Sequence, residues 1–269
     1  MKLILAENLS QYEEQIITIL EKFKNDGTLI GNGNRNVIKF FDLGGIILNF
    51  KSFKQHNIIN RHVYKFYRKS KARRSFEYAN MLIEKKFHTP KPVAYIENHD
   101  FIGLTSSYYV SEQLENSFPL TDVLYDSSFP DREKIIKEYV SLIFRLHNNG
   151  IQFLDNSSGN FLIKKENDNY DVYMVDLNRM NFYDNIDIDK RLKSFARFTN
   201  DREIIRIIAE EYALLSGISS EFCLKKIIQA TNRQVIKRKI KKVLKLYKYL
   251  IKNLILLSLN DVYSILNIQ

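Results

Sequence analysis

Three side chains in the stretch FLDNSSGNFLIKKENDNYDVYMVD could share one reaction: Asp155, Asn160 and Asp176. Asp155 and Asn160 have the spacing D-x-x-x-x-N. Two short apolar runs around a polar tip then lead from Asn160 to Asp176. Residues 161–165 read as a strand, 166–170 as a turn and 171–175 as the returning strand. A hairpin brings its two ends together, so Asn160 and Asp176 should lie side by side. Two oxygen-bearing side chains held adjacent suit a hard cation such as Mg2+. In phosphoryl transfer from ATP, such a pair holds the metal on the phosphates. The Asp of a D-x-x-x-x-N loop accepts the proton of the attacking hydroxyl.

That chemistry needs a cation on the α- and β-phosphates, and a strand must carry it. Lys51 in ILNFKSF fits, with Lys54 as its competitor, or it is an ordinary exposed strand lysine. A helix Glu should position that lysine. Glu77 in SKARRSFEYANML is the candidate; its other reading is a surface residue paired at helical spacing with Arg73 or Arg74. Gly31 and Gly33 in LIGNGNRNVIKF form a G-x-G turn whose backbone N–H groups could cover phosphates, or a plain hairpin turn. Order alone puts the backbone of residues 112–114 (Glu112 to Leu114) against the adenine edge. Arg179, just after Asp176, could touch the transferred group or simply face solvent.

The elements that must hold these residues follow from periodicity. Residues 10–24 read as a helix, 28–54 as three strands of a meander, and 69–86 as a helix with an apolar stripe of Ala72, Phe76, Ala79, Leu82 and Ile83. Two more strands are expected at 93–96 and 106–113. Residues 134–148 form an amphipathic helix stopped by Gly150. After the hairpin, helices dominate from about 191. The fold expected is α+β and protein-kinase-like: a small antiparallel β-lobe with one helix, then a larger, mainly helical lobe. The division falls into residues 1–113, covering ATP, and 114–269, with the catalytic loop and basic C-terminal helices.

Composition bounds the setting. A chain of 269 residues with 45% apolar content can bury a sizeable core, and 9 Gly and 4 Pro leave little room for linkers. The lone Cys223 cannot form an internal disulfide, which fits a reducing cytosol. The start MKLILAENLS meets Glu7 too early for an export signal, and no apolar run is long enough to span a bilayer. The net charge of +10 is concentrated: residues 225–252 hold eleven Lys and Arg and no acid. One basic helix or a helix pair of this kind suits phosphate-rich partners such as an anionic membrane, nucleic acid or a phosphorylated glycolipid, or is a solvated face. No nucleic-acid motif accompanies it, which ranks nucleic acid lowest. A second basic run, residues 61–74, leads into the Glu77 helix and could dock an anionic acceptor or remain a solvated loop.

The run SKARRSFEYANMLIEKKFHTPKPVAYIE, followed by GIQFLDNSSGNFLI and YMVDLNRMNF, resembles the lipopolysaccharide kinase family, the Kdo and heptose kinases of the bacterial core. The resemblance covers about residues 27–199. It implies Mg2+ and ATP, and transfer of the γ-phosphoryl group to a Kdo or heptose hydroxyl of the lipopolysaccharide inner core. Asp155 takes the family's catalytic position, Asn160 and Asp176 the metal positions, and Lys51 with Glu77 the phosphate pair. It also implies a cytoplasmic protein, peripheral at the inner face of the inner membrane of a Gram-negative bacterium. There an anionic saccharide is the acceptor, and each Lys or Arg near the surface contributes about 1 kcal/mol. The pattern departs from protein kinases at three places. Phe153 stands where a His is usual, Leu154 where an Arg is usual, and Asn178 where a Gly is usual; no A-P-E follows. These favour a glycolipid or small-molecule acceptor over a docked peptide. The competing readings are a pseudokinase or binding module of the same fold, and a kinase for another small alcohol.

Overall fold

The computed structural model describes residues 1–7, 9–30, 36–53 and 68–266. Its first part is built on an antiparallel sheet. The strands are β1 (Lys2–Leu5), β2 (Thr28–Ile30), β3 (Asn36–Asp42), β4 (Ile47–Phe53), β5 (Pro92–His99) and β6 (Leu104–Glu112). Among the described residues their order is β1-β5-β6-β4-β3-β2. Strand β1 is one more than the sequence suggested. The apolar run at the start pairs with β5, Leu3 opposite Ile96.

The period of two along each strand decides what faces the site. On β4, Leu48 and Phe50 point to one face and pack with Ile16, Ile19 and Phe23 at helix α1 (Glu13–Lys22). Asn49, Lys51 and Phe53 point to the other. There Phe53 and Tyr95 pack with Ala72 and Phe76 of helix α2 (Lys71–Glu84). The hydroxyl of Ser70 caps α2 by accepting from the N–H of Arg73 at 3.0 Å. The apolar stripe of α2 holds except at its end, where Ile83 is exposed.

The remaining elements are β7 (Ser117–Pro119), α3 (Leu120–Tyr125), α4 (Arg132–Asn148), β8 (Ile151–Phe153), β9 (Phe161–Glu166), β10 (Asn169–Met174), β11 (Met180–Phe182), α5 (Ile188–Lys193), α6 (Arg202–Ser216) and α7 (Ser220–Leu266). Helix α4 is the spine of the larger core. Ile135, Ile136, Tyr139, Val140, Ile143 and Leu146 are at most 1% exposed. Burying each such side chain stabilises the fold by about 1.5–3 kcal/mol relative to exposure. Strand β9 lies between β10 and β7, and β8 pairs with β11. Gly150 adopts φ +69° at the end of α4 and turns the chain into β8. The basic C-terminus is one continuous helix, not a pair. Cys223, Ile227 and Thr231 anchor its start in the core, and Ile236, Ile240, Val243, Leu244, Leu246, Tyr247, Tyr249, Leu250 and Ile251 further on are exposed.

Candidate active site

The hairpin that should join Asn160 to Asp176 is present, with a tighter tip than expected. Glu166 pairs with Asn169, so only Asn167 and Asp168 turn the chain. Asn167 takes a left-handed φ of +56°, which Asn tolerates better than most residues. At the base, the N–H of Val175 donates to the carbonyl of Asn160 at 2.9 Å. That bond locks the two residues side by side. Asp176 itself is left-handed, with φ +58°.

Asp155 is reached from three directions. The amide of Asn160 donates to its backbone carbonyl at 2.7 Å. Its Oδ1 accepts from Arg179 Nη1 at 3.1 Å and from Arg197 Nη1 at 2.8 Å. Pairing of β8 with β11 delivers Arg179, helped by a bond from Leu154 N to Arg179 O. Arg197 arrives from a 3-10 helix some forty residues away in the chain. Beneath the loop, Asn156 is buried. It accepts from the Tyr139 hydroxyl at 2.8 Å and donates to the carbonyl of Ser194. Phe153 is also buried and meets Phe161 edge to face.

Lys51 comes from the sheet above. Its Nζ lies 2.5 Å from Asp176 Oδ1, which also accepts from the Asn178 amide at 2.7 Å. Arg74 of α2 donates to the Asn178 carbonyl at 2.7 Å, tying the helix to this loop. The expected pairing of Lys51 with Glu77 is not formed. The Glu77 carboxylate is held by Lys69 and Arg73, each at 2.8 Å. Burial pushes its pKa up, but these two hydrogen bonds outweigh burial and hold it below the usual carboxylate value. The reason is helical phase. Glu77 sits about 200° around α2 from Ser75, and Ser75 is the residue that lines the cleft. Lys71, on the first turn of α2, is within electrostatic reach of Asp176 and Lys51. Burial first, and the neighbouring cations Arg74 and Lys51 next, lower its pKa, while Asp176 opposes them.

The cavity between sheet and hairpin has a volume of about 780 Å3, well within the range of small-ligand sites. Its lining includes Lys51, Asn160 and Asp176 together with Glu112, Gln113 and Leu114. Ile38 and Leu162 also line it. The N–H groups of Glu112 and Gln113 are already bonded to Lys91 O and Ile47 O. Gly31, Gly33, Lys54 and residues 61–67 of the second basic run lie outside the described residues.

Sequence reasoning thus brought Asp155, Asn160, Asp176 and Lys51 to one place. It missed Ser75, Asn178 and Arg197. For Ser75 a signal existed: it falls within the arc of Ala72, Phe76, Ala79 and Leu82, whereas Glu77 lies opposite. For Arg197 no local signal existed, because its partner is remote in sequence.

A hard cation fits this donor set. Asp176 supplies a carboxylate and Asn160 an amide oxygen, and among the described residues no group of three or more His, Cys, Asp and Glu forms a self-sufficient metal cage. Magnesium bound with one or two protein oxygens takes its other ligands from phosphates and water.

Comparison with known proteins agrees with this architecture. A family model described as the lipopolysaccharide kinase (Kdo/WaaP) family matches residues 46–213. No curated protein matches the chain in sequence. Among solved structures, WaaP in complex with acyl carrier protein superposes with a TM-score of 0.60 at 17% identity, covering 90% of this chain and 99% of that one. The Rio2 kinase–ADP/Mg2+–phosphoaspartate complex from Chaetomium thermophilum gives a TM-score of 0.45 at 18% identity, covering 82% and 75%. The fold is shared with WaaP, a mixed α and β architecture with an antiparallel sheet and a helical part.

Proposed function

The chain belongs to the lipopolysaccharide kinase (Kdo/WaaP) family, whose members are ATP-dependent phosphotransferases, and we propose that it phosphorylates a Kdo or heptose hydroxyl of the inner core. The observation that carries this reading is convergence. Lys51 from β4, Asn160 from a 3-10 turn and Asp176 from the loop after β10 line a single cavity, and the Asn160 amide ties the Asp155 backbone to them. The acceptor is a strongly anionic saccharide.

Asp155 orients the acceptor hydroxyl and takes its proton. Its second oxygen, Oδ2, meets only a long 3.4 Å contact from Arg179 among the described residues. Asn160 and Asp176 hold Mg2+, which neutralises charge on the phosphates when bound. Lys51 moves from Asp176 to the α- and β-phosphates as nucleotide enters. Arg179 and Arg197 fix the rotamer of Asp155 and present positive charge where an anionic acceptor approaches. Adenine sits against residues 112–114; with the Glu112 and Gln113 N–H groups in use, the Leu114 N–H is the donor for its edge. Residues 1–113 act as the ATP-covering lobe and 114–269 as the acceptor lobe. Glu77 stands outside this set. Positioning and charge stabilisation supply most of the rate, since little covalent chemistry falls to the protein.

The test is transfer of labelled phosphate from Mg2+ and ATP to lipid A–core acceptors, one ending in Kdo and one bearing heptose. Wild type should label one of them, and Asp155→Asn and Asp176→Asn should lose at least about a hundredfold. Equal labelling by all three proteins would remove the assigned site. Labelling of small alcohols in place of either saccharide would favour a kinase of different acceptor range.

A further inference from the structure

Helix α7 separates its side chains once it leaves the core. Ile236, Ile240, Val243, Leu244, Tyr247 and Ile251 are between 40% and 64% exposed. At about 100° per residue they fall within an arc of about 100°, which the exposed Leu250 and Leu246 widen to about 160°, while the exposed Tyr249 falls among the basic residues. Lys237, Arg238, Lys241, Lys242 and Lys245 occupy an arc of about 140° on the opposite side. These five lysines and arginines are exposed as well. An apolar stripe this open would ordinarily be covered by the body of the protein, yet among the described residues the last buried side chain of α7 is Thr231.

We propose that residues 233–251 form an interfacial helix that lies in the plane of an anionic lipid surface. The apolar side enters the acyl boundary and the basic side meets the headgroups. Arg233 and Lys239 fall within the widened apolar arc and are long enough to snorkel to the headgroups. Two occupants compete for the same stripe. A second copy of the helix is the first, because Ile236, Ile240, Val243 and Tyr247 alternate spacings of four and three, as in a coiled-coil seam. Charge argues against it: residues 225–252 contain no acid to pair with the cations of a facing copy. An acidic protein is the second. It would satisfy the cations, but the apolar arc lies on the side away from them, whereas a bilayer interface satisfies both at once. Spanning is a different matter, since among the described residues no helix is long and apolar enough to cross a membrane.

The inference goes beyond the phosphotransfer reading and is tested without it. Full-length protein is sedimented with vesicles of phosphatidylcholine alone or mixed with phosphatidylglycerol, at low and high salt. Wild type should bind the anionic vesicles, and part of that binding should survive high salt because the apolar side is inserted. Lys237→Gln, Lys241→Gln and Lys245→Gln combined should weaken partitioning on the order of a hundredfold. Val243→Asp with Tyr247→Asp should abolish the salt-resistant part. Neither variant touches the core, so the urea midpoint should match wild type and reports the fold. Failure of wild type to bind anionic vesicles, or equal binding by all proteins, overturns the proposal. So does a concentration-dependent dimer that Val243→Asp dissolves in the absence of vesicles, or capture by an acidic protein alone.

Discussion

Two glycines with the same backbone conformation should respond very differently to alanine. Gly150 has φ +69° and Gly217 has φ +68°. An alanine in the left-handed region costs about 1 kcal/mol at either site. The sites differ in space. A Cβ on Gly150 would lie 1.9 Å from the Tyr183 carbonyl oxygen and 3.0 Å from its carbon, whereas a Cβ on Gly217 meets nothing within 4 Å. The obstacle at Gly150 is backbone, and it is committed: Tyr183 N donates to Gly150 O at 2.9 Å. Relief requires parting β8 from β11 by more than an ångström. Overpacking of this kind adds about 1–3 kcal/mol. Gly150→Ala should therefore lose about 2–4 kcal/mol and Gly217→Ala about 1 kcal/mol, read from urea midpoints at a common slope. Because β11 follows Arg179 and β8 leads into Asp155, the Gly150 variant should also lose phosphoryl transfer under conditions where it remains folded. Equal shifts in the two midpoints would refute the steric argument, and full activity in Gly150→Ala would refute its link to the catalytic loop.

Other substitutions probe the supports of the site. Tyr139→Phe removes a buried bond to Asn156 and should cost about 1–2 kcal/mol, with a several-fold fall in turnover as the loop loosens; unchanged turnover would separate Asn156 from loop positioning. Glu77→Ala should cost no more than about 1 kcal/mol, because its ion pairs with Lys69 and Arg73 are partly exposed. Its transfer rate should stay within a few-fold of wild type, and a loss of several orders of magnitude would mean that Glu77 reaches Lys51 during turnover. His147 is buried against Tyr212, and burial first, then Arg191, lowers its pKa to about 3 from 6.5. The unfolded chain takes up the proton first, so the contribution is complete above pH 6.5 and declines as pH falls toward 3. The urea midpoint should drop between neutral pH and about pH 5 with a slope approaching 1.4 kcal/mol per unit, and His147→Gln should flatten it; parallel curves would exclude His147 as the titrating group.

The parts of the site legible in the sequence were those fixed by local pattern. The hairpin from Asn160 to Asp176 is written in two apolar runs and a polar tip. Its only error was the tip length, because Asn167 can turn left-handed and two residues suffice. Lys51 was expected on a strand, and β4 carries it. What failed was phase and reach. Glu77 was chosen for its charge, although the stripe of α2 already turned it away from the cleft. Strand β1 was hidden because four residues gain their meaning only by pairing with β5. Arg197 was invisible because only tertiary packing carries its 3-10 helix to Asp155. The division between single helix and helix pair at the C-terminus depended on the absence of a breaker rather than on a positive signal.

The left-handed backbone of Asp176 makes that position a point of opposed selection. Only Gly, and to a lesser degree Asn and Asp, occupies φ +58° without appreciable strain. A screen for foldedness alone should enrich Gly at this position, since it relieves the conformational cost and removes a carboxylate from a half-buried edge. A screen for phosphoryl transfer should keep Asp. Asn would survive the first and fail the second, and Glu, despite its carboxylate, would suffer in both. The two enrichment profiles therefore diverge at one residue for a backbone reason, and their difference separates what the fold tolerates from what the reaction demands.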